Sequence, residues 1–152
     1  MLAPDAPDPP LPAGSDRVSF ARDSVAYEGP LAGTLVGLMH VRRENAALAA
    51  GDMPGVSTQL ISLMADRAGS SHRKATVLRD ADGPRPLPAV LMVAPALVLA
   101  RALLASGERR LRALVEGLDP EGLPEAVWSE VDAQGAWLDD VDVPGDISRR
   151  AP

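Results

Sequence analysis

The chain has 152 residues and a net charge of −6, a length that suits one domain with a real hydrophobic core. It contains no cysteine, which excludes a disulfide framework, thiolate-ligated zinc and a thiol nucleophile. Phe20, Tyr27, Trp128 and Trp137 are its only aromatic residues, so Leu, Ala and Val must build the core.

Residues 1–16 hold Pro4, Pro7, Pro9, Pro10 and Pro12 and read as a disordered or extended tail. No basic stretch followed by an apolar run opens the sequence, so no signal peptide is expected and cytoplasmic is the default location. Weak alternation over 17–28 (Val18, Phe20, Val25, Tyr27) leaves hairpin and irregular helix both open. Residues 31–50 read as a helix, with Leu31, Leu35, Leu38 and Met39 at helical spacing, a polar break at 42–45 and an Ala-rich end. Gly51 is a natural C-terminal cap, and Asp52 and Pro54 are start signals for the next helix.

Val56, Leu60, Leu63 and Met64 then form one apolar helix face, with Ser57, Thr58, Gln59 and Ser62 largely away from it. Residues 75–78 and 89–93 suit strands joined by a tight turn at 80–83, in a hairpin that Pro84, Pro86 and Pro88 make irregular. Residues 96–118 carry an apolar helical pattern, bent near Gly107. Asp119-Pro120-Glu121 caps a further helix through Trp128 and Val131. The uncharged run 87–100 is shorter than the ~20 residues a bilayer requires and is interrupted by Pro88 and Pro95, so burial in a core or a dimer interface is expected and no membrane span. The expected domain is 17–136, followed by an acidic, flexible tail over 137–152.

Few patterns look chemical. Ser71-x-x-Lys74 matches a nucleophile spacing, but its polar neighbours keep Lys74 solvated and protonated. Asp80-Ala81-Asp82-Gly83 hints at a calcium loop, yet Pro84 and Leu91 stand where later ligands belong. His40 and Glu44 share a helix face without a third ligand, so His40 reads as a half-buried helix residue. Asp139, Asp140 and Asp142 suit a solvated tail more than a cation site. No catalytic residues, metal site or cofactor are therefore expected.

Four features between Gly55 and Pro95 share one spacing. Gly55-Val56-Ser57-Thr58-Gln59 opens a helix, Asp66-Arg67 closes it, an Asp82-Gly83 turn precedes Arg85, and Val93-Ala94-Pro95 starts the next helix. Glu116-Gly117-Leu118-Asp119-Pro120-Glu121 comes later as a turn after a long helix. In this order they resemble the MarR family of transcriptional regulators. The resemblance implies a mainly α fold, a winged helix-turn-helix with a short β-hairpin wing and C-terminal dimerisation helices. It implies a homodimer that regulates transcription on double-stranded DNA, with a small aromatic effector near the domain junction and no enzyme activity. The DNA-binding set would be Ser57, Thr58, Gln59, Ser62, Arg67, Arg73, Arg79 and Arg85, with Gln59 suited to adenine and Arg85 to the minor groove.

Charge distribution is compatible with that reading and with one other. Residues 55–92 carry Arg67, Arg73, Lys74, Arg79 and Arg85 against three aspartates, whereas 108–146 hold eleven acids against three arginines. The alternative is an acidic helical protein–protein interaction module without DNA binding or catalysis.

Overall fold

The computed structural model describes residues 7–11, 18–22, 29–139 and 141. Helix α1 (Pro30–His40) leads into strand β1 (Asn45–Leu48), and helix α2 (Thr58–Ser70) comes next. A hairpin, β2 (Ala75–Asp80) and β3 (Gly83–Met92), precedes helices α3 (Val93–Ala105) and α4 (Leu111–Gly117). Strand β4 (Glu121–Leu123), the short helix α5 (Glu125–Trp128) and a 3-10 turn at Ala136–Leu138 complete the order.

The four strands form one sheet in the order β1-β3-β2-β4. Strand β3 runs antiparallel to both β1 and β2, while β4 runs parallel to β2. Side chains alternate between the faces, as strand geometry requires. Ala75, Val77, Ala89 and Leu91 join Leu31, Leu38, Ala96, Ala100 and Leu114 under α1, α3 and α4. Leu78, Val90 and Leu123 join Leu60, Met64, Trp128 and Trp137 on the opposite face. The result is a three-layer α/β/α fold, which corrects the mainly α winged helix-turn-helix expectation.

The hairpin is where the two architectures part. A wing is a two-stranded ribbon exposed to solvent, but here Val77 and Leu78 are 0% exposed, and β2 and β3 each have a strand on both sides. The proline-bearing half of β3 is tolerated because β1 stops at the Leu48–Ala89 pair, so Pro84, Pro86 and Pro88 lie beyond it and owe it no N–H.

Other expectations fail for local reasons. The Ala-rich end of the expected first helix is strand β1, because cross-strand pairing with residues 89–92 overrides the helical preference of alanine. The long helix is two helices. Gly107, at φ 88°, takes the left-handed conformation, its N–H reaching Leu104 O and that of Glu108 reaching Leu103 O, both at 3.0 Å. This paired closure ends α3 outright. The helix expected after Asp119 begins instead as β4 and shortens to α5. His40 is exposed, its Nδ1 2.8 Å from Val36 O.

Residues 1–6 and 12–17 of the expected N-terminal tail and segment lie outside the described residues, as do 23–28. Trp137, where the expected C-terminal tail begins, is 1% exposed, and residues 142–152 are outside the description. No helix among the described residues is long and apolar enough to cross a membrane.

The buried position of the hairpin gives a direct test. Leu78→Ala should lower unfolding free energy by about 2–5 kcal/mol, as truncations in packed cores do. Gln59→Ala, on an exposed helix surface, should change it by about 0.5 kcal/mol or less. Urea titrations of both variants check this; an equally small effect of Leu78→Ala would favour an exposed hairpin.

Candidate functional site

Strands β1, β2 and β4 point the same way, so their carboxyl ends lie on one edge of the sheet. Open α/β sheets bind ligands in the crevice outside that edge. The connections place several loops there. Helix α1 returns toward β1 and so begins at the carboxyl edge, where Leu31 N–H donates to Arg109 O at 3.3 Å. That bond joins the start of α1 to the loop between α3 and α4. At the opposite edge, Val93 N–H donates to Glu44 O at 2.8 Å, which fixes the start of α3 beside the start of β1.

The loop leaving β1 is the best-built part of this edge. Met53 N–H reaches Ala50 O at 3.4 Å and Val56 N–H reaches Met53 O at 3.3 Å, two successive turns. Met53 and Val56 pack against the core formed by Leu60, Met64 and the two tryptophans. Ser57 caps α2, its Oγ accepting from Leu60 N–H at 3.1 Å. Asp52 stands at the exposed tip. Its carbonyl accepts from Val141 N–H at 2.9 Å, but its carboxylate has no hydrogen bond or ion pair among the described residues. A solvated carboxylate on an anchored loop is available for a ligand.

Two arginines reach the same edge beside α1. Gly29, at φ 86°, precedes Pro30 and lies so close to Arg109 that a Cβ would sit 3.3 Å from Arg109 Cβ. Glu108 organises this loop: it accepts from the N–H groups of Arg109 (2.8 Å) and Arg110 (2.9 Å) and pairs with the Arg110 guanidinium at 2.7 Å. The Arg110 side chain, its backbone N–H and the N–H of Arg109 together hold the Glu108 carboxyl down at about 2, and Glu108 in turn raises Arg110. Arg109 donates to the carbonyls of Leu104 (3.1 Å) and Glu108 (2.9 Å).

A cavity of about 290 Å³ opens beyond the carboxyl ends of β2 and β4, lined by residues that include Asp80, Glu125, Trp128 and Gln134. Burial alone would raise Asp80, but the Arg85 side chain and the N–H groups of Asp82 and Gly83 bring it below the usual carboxylate range. Arg85 also reaches Asp82 at 3.3 Å, so one guanidinium bridges the two carboxylates of the hairpin turn.

The residues expected to bind DNA do not converge. Thr58, Gln59, Ser62 and Arg67 are exposed along α2, and Ser57 is occupied as its cap. Arg73 pairs with Asp119, and Arg85 with Asp80. Arg79 lies over Gly122, where a Cβ would meet its Cδ at 2.6 Å, and its carbonyl accepts from Trp128 Nε1 at 2.8 Å.

This architecture, a mixed sheet between helical layers with its loops gathered at one carboxyl edge, is that of an open α/β domain. Residues 4–123 match the family described as MobA-like NTP transferase domain, and the chain belongs to that family. A probable molybdenum cofactor guanylyltransferase of Natronomonas pharaonis is 33% identical over 101 residues, covering 66% of this chain and 49% of that protein. Its counterpart in Methanosarcina mazei is 40% identical over 58 residues, 38% of this chain and 25% of that protein. The chain thus spans about half the length, or less, of the curated relatives it matches. The molybdopterin-guanine dinucleotide biosynthesis protein A of Archaeoglobus fulgidus shares the fold, with a TM-score of 0.71 at 22% identity over 88% of this chain and 66% of that one.

These findings overturn the MarR resemblance and, with it, transcription regulation on double-stranded DNA and the non-catalytic interaction module. The expectation of no enzyme activity gives way to a nucleotidyltransferase family. The aromatic effector and the DNA-bound homodimer belonged to the same resemblance and go with it. Sequence reasoning reads Asp52 only as a helix start signal and assigns no site role to Arg109 or Arg110. A Gly-Asp-x-Pro loop directly after a short strand is the available signal, hidden because the strand itself has a helix-forming composition.

The Glu108 clamp has a pH signature. Its carboxyl is depressed in the folded chain, so its stabilisation is complete above its ordinary value of 4.5 and is lost as pH falls through about 2. Thermal melts between pH 5 and pH 2 should show the wild type losing more stability than Glu108→Gln over that window. Parallel losses would remove the clamp from the account.

Proposed function

We propose that this chain serves in guanylyl transfer to a molybdenum cofactor, with the nucleotide's phosphates at the carboxyl edge of the sheet. The observation that carries the reading is the free Asp52 carboxylate, held at that edge by an anchored loop in a member of an NTP transferase family. The names of the relatives, a molybdenum cofactor guanylyltransferase among them, supply the substrate class.

In such a transfer, a terminal phosphate oxygen of the acceptor attacks the α-phosphorus of GTP. A new phosphoanhydride bond forms, and the bond to the β-phosphate breaks to release pyrophosphate. The catalytic task is to position three anionic groups in line and neutralise them. Arg109 and Arg110 bring two guanidiniums to the edge for that purpose, held by Glu108 and by the carbonyls of Leu104 and Glu108.

The divalent cation that accompanies a nucleoside triphosphate fits the donors present. No group of three His, Cys, Asp or Glu side chains able to hold a metal occurs among the described residues, so a dedicated protein cage is absent there. One exposed carboxylate suits Mg²⁺, which keeps several waters and binds through one or two carboxylates and the substrate's phosphates. Bound there, the cation would offset phosphate charge, and Asp52 would fix its place relative to α1 and the 107–110 loop. Such a substrate agrees with a cytoplasmic location.

Asp52→Asn should keep the fold and lower guanylyl transfer from labelled GTP by about 10²–10³-fold, the cost of losing one preorganised electrostatic group. Product formation with purified molybdopterin cofactor measures it. Undiminished transfer by the variant, or no transfer by the wild-type chain, would overturn the reading.

A further inference from the structure

We propose that residues 132–139, together with Val141, act as a positioning strap for Asp52. The inference rests on the proposed role of Asp52 and names what holds that carboxylate in place. The strap acts through the loop that bears Asp52.

The strap is itself closed by a carboxylate. Asp132 accepts from Ala136 N–H at 2.9 Å through one oxygen and from Trp137 N–H at 3.1 Å through the other. Those bonds fold the chain back through Gly135, whose φ of 65° is the left-handed region that glycine takes without strain. Trp137 is thereby driven into the core at 1% exposure, edge-on to Trp128 with ring centroids 5.6 Å apart at 83°. Met53 and Val56 of the Asp52 loop pack against the same cluster.

Two contacts then transmit the strap's position to the loop. Val141 N–H donates to Asp52 O at 2.9 Å. Gly55, three residues on, lies directly against the strap backbone: a Cβ there would overlap the Ala136 carbonyl and come within 3.0 Å of Trp137 N. Both sides of this contact are backbone, so no rotamer change can relieve an added methyl. Glycine at 55 is needed for space, not for an unusual dihedral. The loop is gripped on both sides of Pro54, at 52 and at 55.

Gly55→Ala must push strap and loop apart, and Asp132→Ala must loosen the turn that seats Ala136. Both should speed hydrogen exchange at the amides of Val56 and Val141, while Val77 and Leu91 in the sheet keep wild-type rates. Both should also raise the Mg²⁺ concentration for half-maximal guanylyl transfer by about tenfold, the usual cost of disturbing a residue behind a metal ligand. The rate at saturating Mg²⁺ should change far less, a split that general destabilisation would not produce. Asp132→Asn, which keeps an acceptor oxygen, should fall between wild type and Asp132→Ala.

Unchanged exchange at Val56 and Val141 in both variants would overturn the strap. So would faster exchange with wild-type Mg²⁺ dependence, provided Asp52→Ala shifts that dependence. If Asp52→Ala also leaves the Mg²⁺ dependence unaltered, the proposed role of Asp52 has failed, and the strap fails as its positioning element.

Discussion

Everything at the candidate site depends on one antiparallel strand in the middle of the sheet. β3 pairs with β1 through residues 89–92 and with β2 at both ends, through residues 83–84 and 89–91 on either side of a register shift. Because it is antiparallel to both, β1 and β2 are forced parallel to each other, and β4 extends the set beside β2. Three carboxyl ends therefore meet at one edge. Without β3 in that place, Asp52, the hairpin turn and α5 would have no common side.

The two faces of the sheet divide the remaining work. On one, small residues in α3 (Ala96 and Ala100, both 0% exposed) let that helix lie close to the sheet beside α1. This face fixes the start of α1 against the 107–110 loop and so places the arginines. On the other, two tryptophans fill the space above Leu78 and Leu123, and the loop after β1 is fastened to them. Large aromatics are scarce in this chain, and half of its four aromatic residues are spent on this anchor. A floppy tip would hold a solvated carboxylate poorly, because each ordering step would then have to come from substrate binding.

Part of this is legible in the sequence. The helix over α2 announces itself through Val56, Leu60, Leu63 and Met64, and the β2–β3 hairpin through its turn and flanking apolar runs. The order helix, hairpin, helix stands in the residue pattern, which is why the spacing resembles a winged helix-turn-helix. What distinguishes the two folds is whether the hairpin has neighbours. The neighbours here are weakly encoded: β1 is Asn-Ala-Ala-Leu, a helix-forming composition, and β4 is three residues long with a glycine at its centre. Gly122 is there because the Arg79 side chain crosses it. Gly55 reads as a helix start, whereas its real constraint, the Ala136 carbonyl, lies eighty-one positions away in sequence. Such long-range contacts leave no periodic signal.

The central claim is that the nucleotide is held at the carboxyl edge by Asp52 and the loops around it. Backbone amide chemical shifts of the full chain, followed while GTP and Mg²⁺ are added together, test this most directly. The account predicts saturable shifts confined to residues 29–33, 49–57 and 107–110, with the opposite edge around Glu44 and Val93 unmoved. Shifts centred on that opposite edge or on the exposed face of α2, or none at millimolar nucleotide, would contradict it.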